Sequence, residues 1–167
     1  MDNRISMDDI KTAILRIRNG KETDYAASSQ EEEMLLDYYR ASYAIHSGDV
    51  ERFDKIRDKN TWEPAIIRSI LDAKRIHYTK PVAEYAKATS KIESELEKDG
   101  ELASSWLIEA LAQVALAAEL TENFEKAKRI YSELNIMCQA NDDRQKRAES
   151  LGNLGVYAVM EGKITVA

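Results

Sequence analysis

Residues able to do acid–base or nucleophilic chemistry are few in this 167-residue chain. Its histidines are His46 and His77, and its one cysteine is Cys138. No sequence motif pairs either histidine with a carboxylate or with the cysteine, and each histidine falls near a predicted helix end, where the helix dipole favours a protonated ring. Cys138 follows two apolar residues, a setting typical of a buried thiol rather than a reactive thiolate. We therefore expect structural roles for all three and no catalytic residue.

Metal and phosphate chemistry has equally little support. The acidic run at residues 31–33 offers three carboxylates, but consecutive residues point around a helix and cannot converge on one ion. The run is better suited to the first turn of a helix capped by Ser28 or Ser29. The sequence has no glycine-rich phosphate loop and no cysteine or histidine cluster at metal-ligand spacing. We expect no cofactor and no metal, and a helical enzyme with an unrecognised site stays as an alternative.

Composition limits the possible partners. The formal net charge of −6 argues against a dedicated nucleic-acid binder, which would present a basic face. No apolar run approaches the length of a membrane span, and the N-terminus has no signal-peptide core. A single cysteine excludes an internal disulfide and fits a reducing compartment. We expect no nucleic acid and no membrane as partner, and a cytoplasmic location.

The elements that position the remaining surface are helices, and the clearest pair extends from Trp106 to Leu134. In its first helix one face carries apolar residues at spacings of three and four, namely Leu111, Val114, Ala115 and Ala118. The opposite face is also apolar, so the helix is expected to lie between neighbours with only Glu109, Gln113 and Glu119 reaching water. The break at residues 120–123 is short, which predicts that the second helix is antiparallel to the first.

This pattern recurs at a constant offset. Six positions are followed 40 residues later by similar ones: Leu111, Val114, Ala115, Ala118, Glu122 and Ala127 correspond to Leu151, Leu154, Gly155, Ala158, Gly162 and Ala167. A constant offset over a helix and its turn indicates a repeat. The small residue Gly155 predicts a close helix crossing. At the turn, Glu122 replaces a glycine, so Asn123 is expected to adopt the left-handed conformation.

These residues resemble the tetratricopeptide-repeat family, chiefly in the run from Asn153 to Gly155 followed by Gly162, Lys163 and Ile164. The resemblance implies an all-α fold, a right-handed α-α superhelix (solenoid) of about eight antiparallel helices whose concave groove binds a peptide or another protein. We predict a single domain over residues 1–167. Residues 1–100 form degenerate hairpins, and residues 101–167 form the best-matching repeats, the last of them truncated.

Aligning the two repeats predicts the residues that face the groove. They are Glu109, Gln113, Leu116 and Glu119 from the first repeat, and Asn153, Val156, Val159 and Met160 from the second. Asn153 matches an asparagine that the family uses to hydrogen-bond a ligand, and a bond to the neighbouring repeat alone is the alternative. The family's basic clamp for acidic tails is missing, because Ala112 and Leu116 stand in its place. The basic clusters at residues 126–129 and 144–147 are expected on the solvated outer face.

The end of the sequence suggests self-association. The final hairpin is half built in this sequence, so its first helix is expected to expose an apolar stripe that includes Leu151, Leu154, Val156 and Met160. The residues expected to mediate self-association are Leu151, Leu154 and Ile164. We expect either a longer array or a homodimer through this helix. The interpretation we favour is a protein- or peptide-binding module without enzymatic activity. The alternative is a ligand- or peptide-sensing segment of a larger bacterial transcription or signalling regulator.

Overall fold

The computed structural model describes residues 7–98 and 102–160, and within these ranges the protein has eight α-helices and no strand. The helices are α1 (Met7–Arg18), α2 (Gln30–His46), α3 (Val50–Lys59), α4 (Ile66–Thr79), α5 (Val82–Lys98), α6 (Ser104–Leu120), α7 (Phe124–Ala140) and α8 (Arg144–Met160). The all-α prediction is confirmed, as is the expected number of helices. None of the described helices has the length and apolar character needed to cross a membrane.

The chain divides into two compact units, the first ending at Tyr78 and the second beginning at Thr79. In the first unit, α2 packs against both α1 and α3. Its core is apolar, with Leu36, Tyr38, Ala41, Ile45, Phe53, Ile67, Ile70 and Leu71 all fully buried. The carboxylate of Asp37 lies within this core and accepts hydrogen bonds from Arg40, Lys59 and Asn60, which ties α2 to the end of α3.

The segment before α4 differs from the sequence prediction. The sequence predicts that Thr61 caps a helix containing Pro64, but α4 begins only at Ile66. The reason is Trp62, which has a positive φ of 51° and a buried side chain whose indole N–H donates to the carbonyl oxygen of Arg57 at 2.6 Å. Placing this large ring in the core takes the chain out of helical conformation before Ile66.

In the second unit, α5 to α8 each contain 17 residues, and each helix packs against the next. Helix α6 begins at Ser104 and α8 at Arg144, which is the 40-residue offset seen in the sequence. The buried residues are mostly apolar and include Tyr85, Ile92, Trp106, Val114, Ala115, Ile130, Leu134 and Cys138. Helix α6 lies between α5 and α7, so it is covered on two sides.

One three-residue turn is used three times, after α2, after α6 and after α7. In each case the middle residue has a positive φ: 86° at Gly48, 61° at Glu122 and 55° at Asp142. The third residue donates its N–H to a carbonyl five positions earlier, and its side-chain oxygen caps the next helix, as in Asp49, Asn123 and Asp143. The turn therefore reverses the chain and satisfies both helix ends at once.

Five sequence predictions concern helix caps, turns and glycines. The structure contradicts three of them and confirms two. The left-handed residue is Glu122 and not Asn123, whose φ is −87°. The sequence predicts that Asp142 caps α8, but the cap is Asp143. At Gly155 an added Cβ would meet no atom of the described chain within 4 Å, so the predicted close helix crossing is wrong. Ser29 caps α2, as expected, and Gly48 follows the end of this helix, where the sequence predicts a terminating glycine. The sequence also predicts a capping box that begins at Ser6 and a helix end at Asp99 and Gly100, and Ser6, Asp99 and Gly100 lie outside the described residues.

Candidate functional site

A cleft of about 300 Å³ lies in the second unit between α6 and α8, with α7 as its floor. Helix α6 contributes small and apolar residues together with one amide, α7 contributes an apolar floor, and α8 contributes a polar wall. The lining residues are Ala112, Gln113, Leu116, Tyr131, Leu134, Lys146, Glu149, Ser150 and Asn153. The three elements are held in place by the two turns that join them, because each turn fixes both the end of one helix and the start of the next.

The two side-chain amides of the cleft, Gln113 and Asn153, occupy equivalent positions 40 residues apart on α6 and α8. The hydroxyl of Tyr85 on α5 donates to Oε1 of Gln113 at 2.7 Å and lies 3.1 Å from the backbone carbonyl oxygen of the same residue. This contact orients the amide and leaves its Nε2 group without a partner among the described residues. The amide of Asn153 likewise has no partner in the described part of the chain. The cleft therefore presents unsatisfied donors and an unsatisfied acceptor.

The polar wall of α8 contains one compensated charge and one exposed charge. The ammonium of Lys146 lies 3.7 Å from Oε2 of Glu109, and the Glu109 side chain is almost fully buried in α6. The hydroxyl of Ser150 donates to the backbone carbonyl oxygen of Lys146 at 3.0 Å, so it is used within the helix. Glu149, in contrast, is exposed and forms no ion pair with any described residue.

The structure brings together three of the predicted groove residues, namely Gln113, Leu116 and Asn153. The expectation that Glu109 and Gln113 reach water is wrong, because they are only 2% and 8% exposed. Their burial is accompanied by polar partners from two other helices, because Tyr85 on α5 contacts Gln113 and Lys146 on α8 contacts Glu109.

The other predicted groove residues lie elsewhere or are not described. Glu119 accepts a hydrogen bond from the Tyr131 hydroxyl at 3.2 Å and is not part of the cleft lining. Val156 and Val159 are exposed outside the lining. The Met160 side chain and all of Ile164 fall outside the described residues.

Sequence reasoning missed four polar or aromatic residues of the cleft: Tyr131, Lys146, Glu149 and Ser150. The sequence predicts the basic cluster containing Lys146 on the outer face, and for Lys146 this is wrong because its side chain is paired with Glu109 in the cleft wall. A signal was available in the spacing of α8. Residues 146, 149 and 150 stand seven, four and three positions before Asn153, so all four side chains lie on one face of the helix.

The lining of this cleft includes neither histidine nor the cysteine of the sequence. Cys138 is buried as expected, and desolvation raises the pKa of its thiol to about 11. His46 contacts the hydroxyl of Tyr78 in the first unit, and burial lowers the pKa of His77. Within the residues that the structure describes, no three histidine, cysteine, aspartate or glutamate side chains are arranged to hold a metal ion.

The outward face of α8 is apolar. Leu151, Val156 and Val159 are each about half exposed, whereas Leu154 is only partly exposed. Gly152 and Gly155 lie on the same outward face, and neither has a described atom within 4 Å of the position of a Cβ. Leu151 and Val159 lie on the side of α8 away from the polar wall of the cleft, whereas Val156, three residues after Asn153, borders that wall.

Comparison with known proteins gives no relative from which a role can be transferred. The chain matches no protein-family model, no curated protein and no solved structure. A role for the cleft and for the outer face of α8 has to be inferred from their own residues.

Proposed function

We propose that this protein is a binding module of the tetratricopeptide-like solenoid type, and that its second unit holds a polypeptide segment in the cleft between α6 and α8. The single observation that carries the proposal is the pair of equivalent amides, Gln113 and Asn153, which line the same cleft with polar atoms that the described chain does not use. The proposal assigns the protein no catalytic activity and no cofactor. A single, buried cysteine, Cys138, is consistent with a reducing compartment such as the cytoplasm.

An extended peptide suits the chemistry of this cleft. A peptide backbone alternates N–H donors with carbonyl acceptors, and a carboxamide is a side chain that can both donate and accept. Each hydrogen bond made this way contributes about 1 kcal/mol net. The apolar floor and wall formed by Leu116, Tyr131 and Leu134 can bury one side chain of the ligand, for about 1.5–3 kcal/mol. After the cost of ordering the peptide, this predicts affinities that are roughly millimolar or weaker.

The test compares two amides on the same unit. The full chain is used to select binders from displayed random short peptides, and a selected peptide is then titrated against Asn153→Ala and against Gln139→Ala. Gln139 is an exposed carboxamide on α7 outside the cleft, so it is the matched control. We expect Asn153→Ala to weaken binding roughly five- to tenfold, which corresponds to one lost hydrogen bond. Gln139→Ala should have no effect, and both variants should melt like the wild type.

A second function is favoured by the outer face of α8, where Leu151, Val156 and Val159 expose apolar side chains beside two glycines. We propose that two copies of the chain associate through this face. Because no described atom lies within 4 Å of a Cβ added at either glycine, a facing helix can approach closely here, and the exposed side chains supply the apolar area. The predicted residues Leu151 and Leu154 both belong to α8, although Leu154 is the less accessible of the two.

A further inference from the structure

The charges of the cleft differ in how they are compensated. Lys146 is the one cationic side chain in the described lining, and its ammonium faces the buried carboxylate of Glu109. Because a buried carboxylate is strongly destabilised without a cation nearby, Lys146 is committed to this ion pair and is a poor partner for a ligand. Glu149 is the other charged side chain of this lining, and it is exposed without an ion-pair partner in the described residues. Among the residues that the structure describes, the cleft therefore has one available charge, and it is negative.

The rest of the protein adds to this preference. The chain has a formal net charge of −6, so its long-range field attracts cations and repels anions. A ligand with several carboxylates would meet both this field and Glu149, and the described lining has no uncommitted lysine or arginine to offset them. An arginine of a ligand could instead make a charge-assisted hydrogen bond to Glu149 while the peptide backbone contacts the amides of Gln113 and Asn153.

We propose that the segment bound in the cleft is basic, with a lysine or arginine placed beside Glu149. This inference rests on the proposed peptide-binding function and adds the chemical class of the ligand. Gln113 gives independent support for a ligand at this place, because its side chain is more than nine-tenths buried and still directs a polar group without a described partner into the cleft. The ligand is thus recognised by its backbone through the amides and by its charge through Glu149.

The experiment uses the same displayed random peptides with three forms of the full chain: wild type, Glu149→Lys and Glu133→Lys. Glu133 is an exposed carboxylate on α7 outside the cleft, so its reversal changes the net charge equally and serves as the control. The wild type and Glu133→Lys should enrich peptides containing lysine or arginine. Glu149→Lys should lose this enrichment and bind a selected basic peptide about fivefold more weakly at low ionic strength, with a smaller difference at high salt.

The outcomes separate this inference from the function on which it rests. Selected peptides that lack basic residues, or that bind Glu149→Lys as tightly as the wild type, overturn the basic-ligand inference. If Asn153→Ala still weakens the binding of these peptides, the peptide-binding function stands. Peptides insensitive to both Glu149→Lys and Asn153→Ala bind outside the cleft, and both proposals then fail. Enrichment of acidic peptides overturns the inference directly. If peptides compete with a second copy of the chain instead, the cleft is a self-association site and the basic-ligand inference is again wrong.

Discussion

Gln113 and Asn153 occupy the same position in helices α6 and α8, 40 residues apart in sequence, and their side-chain amides line one cleft. The two are supported differently. Gln113 is fixed by the Tyr85 hydroxyl from α5, whereas Asn153 has no partner in the described chain. A preordered amide costs less entropy to engage than a free one, so Gln113 is suited to set the position of a ligand and Asn153 to adjust to it.

The ion pair between Lys146 and Glu109 gives the first stability prediction. Lys146→Met removes the cation that faces a buried carboxylate, and we expect the free energy of unfolding to fall by about 1–3 kcal/mol. Adding Glu109→Gln to Lys146→Met should recover part of this loss, because the amide carries no charge that needs compensation. Urea unfolding followed by circular dichroism measures both. Equal stability of Lys146→Met and the wild type would show that Glu109 does not depend on this lysine.

The repeated turn gives the second prediction. Glu122 has a φ of 61°, a conformation that costs a residue with a Cβ about 1 kcal/mol and that glycine adopts freely. Glu122→Gly should therefore raise the melting temperature and stabilise the protein by roughly 0.5–1 kcal/mol. The control is the reverse change in the matching turn. Gly48→Ala, where an added Cβ meets no atom of the described residues within 4 Å, should destabilise through backbone conformation alone. A lower melting temperature for Glu122→Gly would mean that its side chain contributes more than the turn strain costs.

How far the sequence predicts this fold depends on whether the deciding contacts are local. Gly48 could be predicted at a helix end because glycine is suited to positive φ, and Ser29 could be predicted as a cap from its position before an acidic turn. The burial of Gln113 could not be predicted, because its partner Tyr85 is 28 residues away on another helix. The prediction at Gly155 fails because a glycine inside a helix suggests that another helix passes close by, and the described chain has no atom within 4 Å of a Cβ added there.

The thiol of Cys138 gives a prediction for alkaline pH. Burial raises its pKa from an ordinary value of 9.0 to about 11, so the folded state keeps the proton up to a higher pH than the unfolded state does. Below about pH 9 both states are protonated and this group adds no pH dependence. Between pH 9 and 11 only the unfolded thiol ionises, so the free energy of unfolding should fall as pH rises.

The measurement for Cys138 is unfolding of the wild type and of Cys138→Val across this pH range. Burial also raises the pKa of Tyr157, to about 12, so ionisation of this residue lowers the free energy of unfolding at high pH in both proteins. The difference between the two proteins isolates the contribution of the thiol. In the folded protein at neutral pH, alkylation of Cys138 should be slow and should accelerate with denaturant. Rapid alkylation under native conditions would contradict the burial on which the prediction depends.

The outer face of α8 gives the last prediction. Leu151 is 47% exposed and Val156 is 56% exposed, on a face where Gly152 and Gly155 leave space for a facing helix. If two copies associate there, Leu151→Glu places a charge in the interface and should shift the protein toward the monomer at a given concentration. Ile136→Glu is the control, because Ile136 is the more exposed residue at 69% but stands on α7, away from this face. Light scattering over a concentration series should show a mass that rises for the wild type and for Ile136→Glu, and that stays monomeric for Leu151→Glu. A wild-type mass that remains monomeric at every concentration would remove the second proposed function and leave the apolar face of α8 available to a different partner.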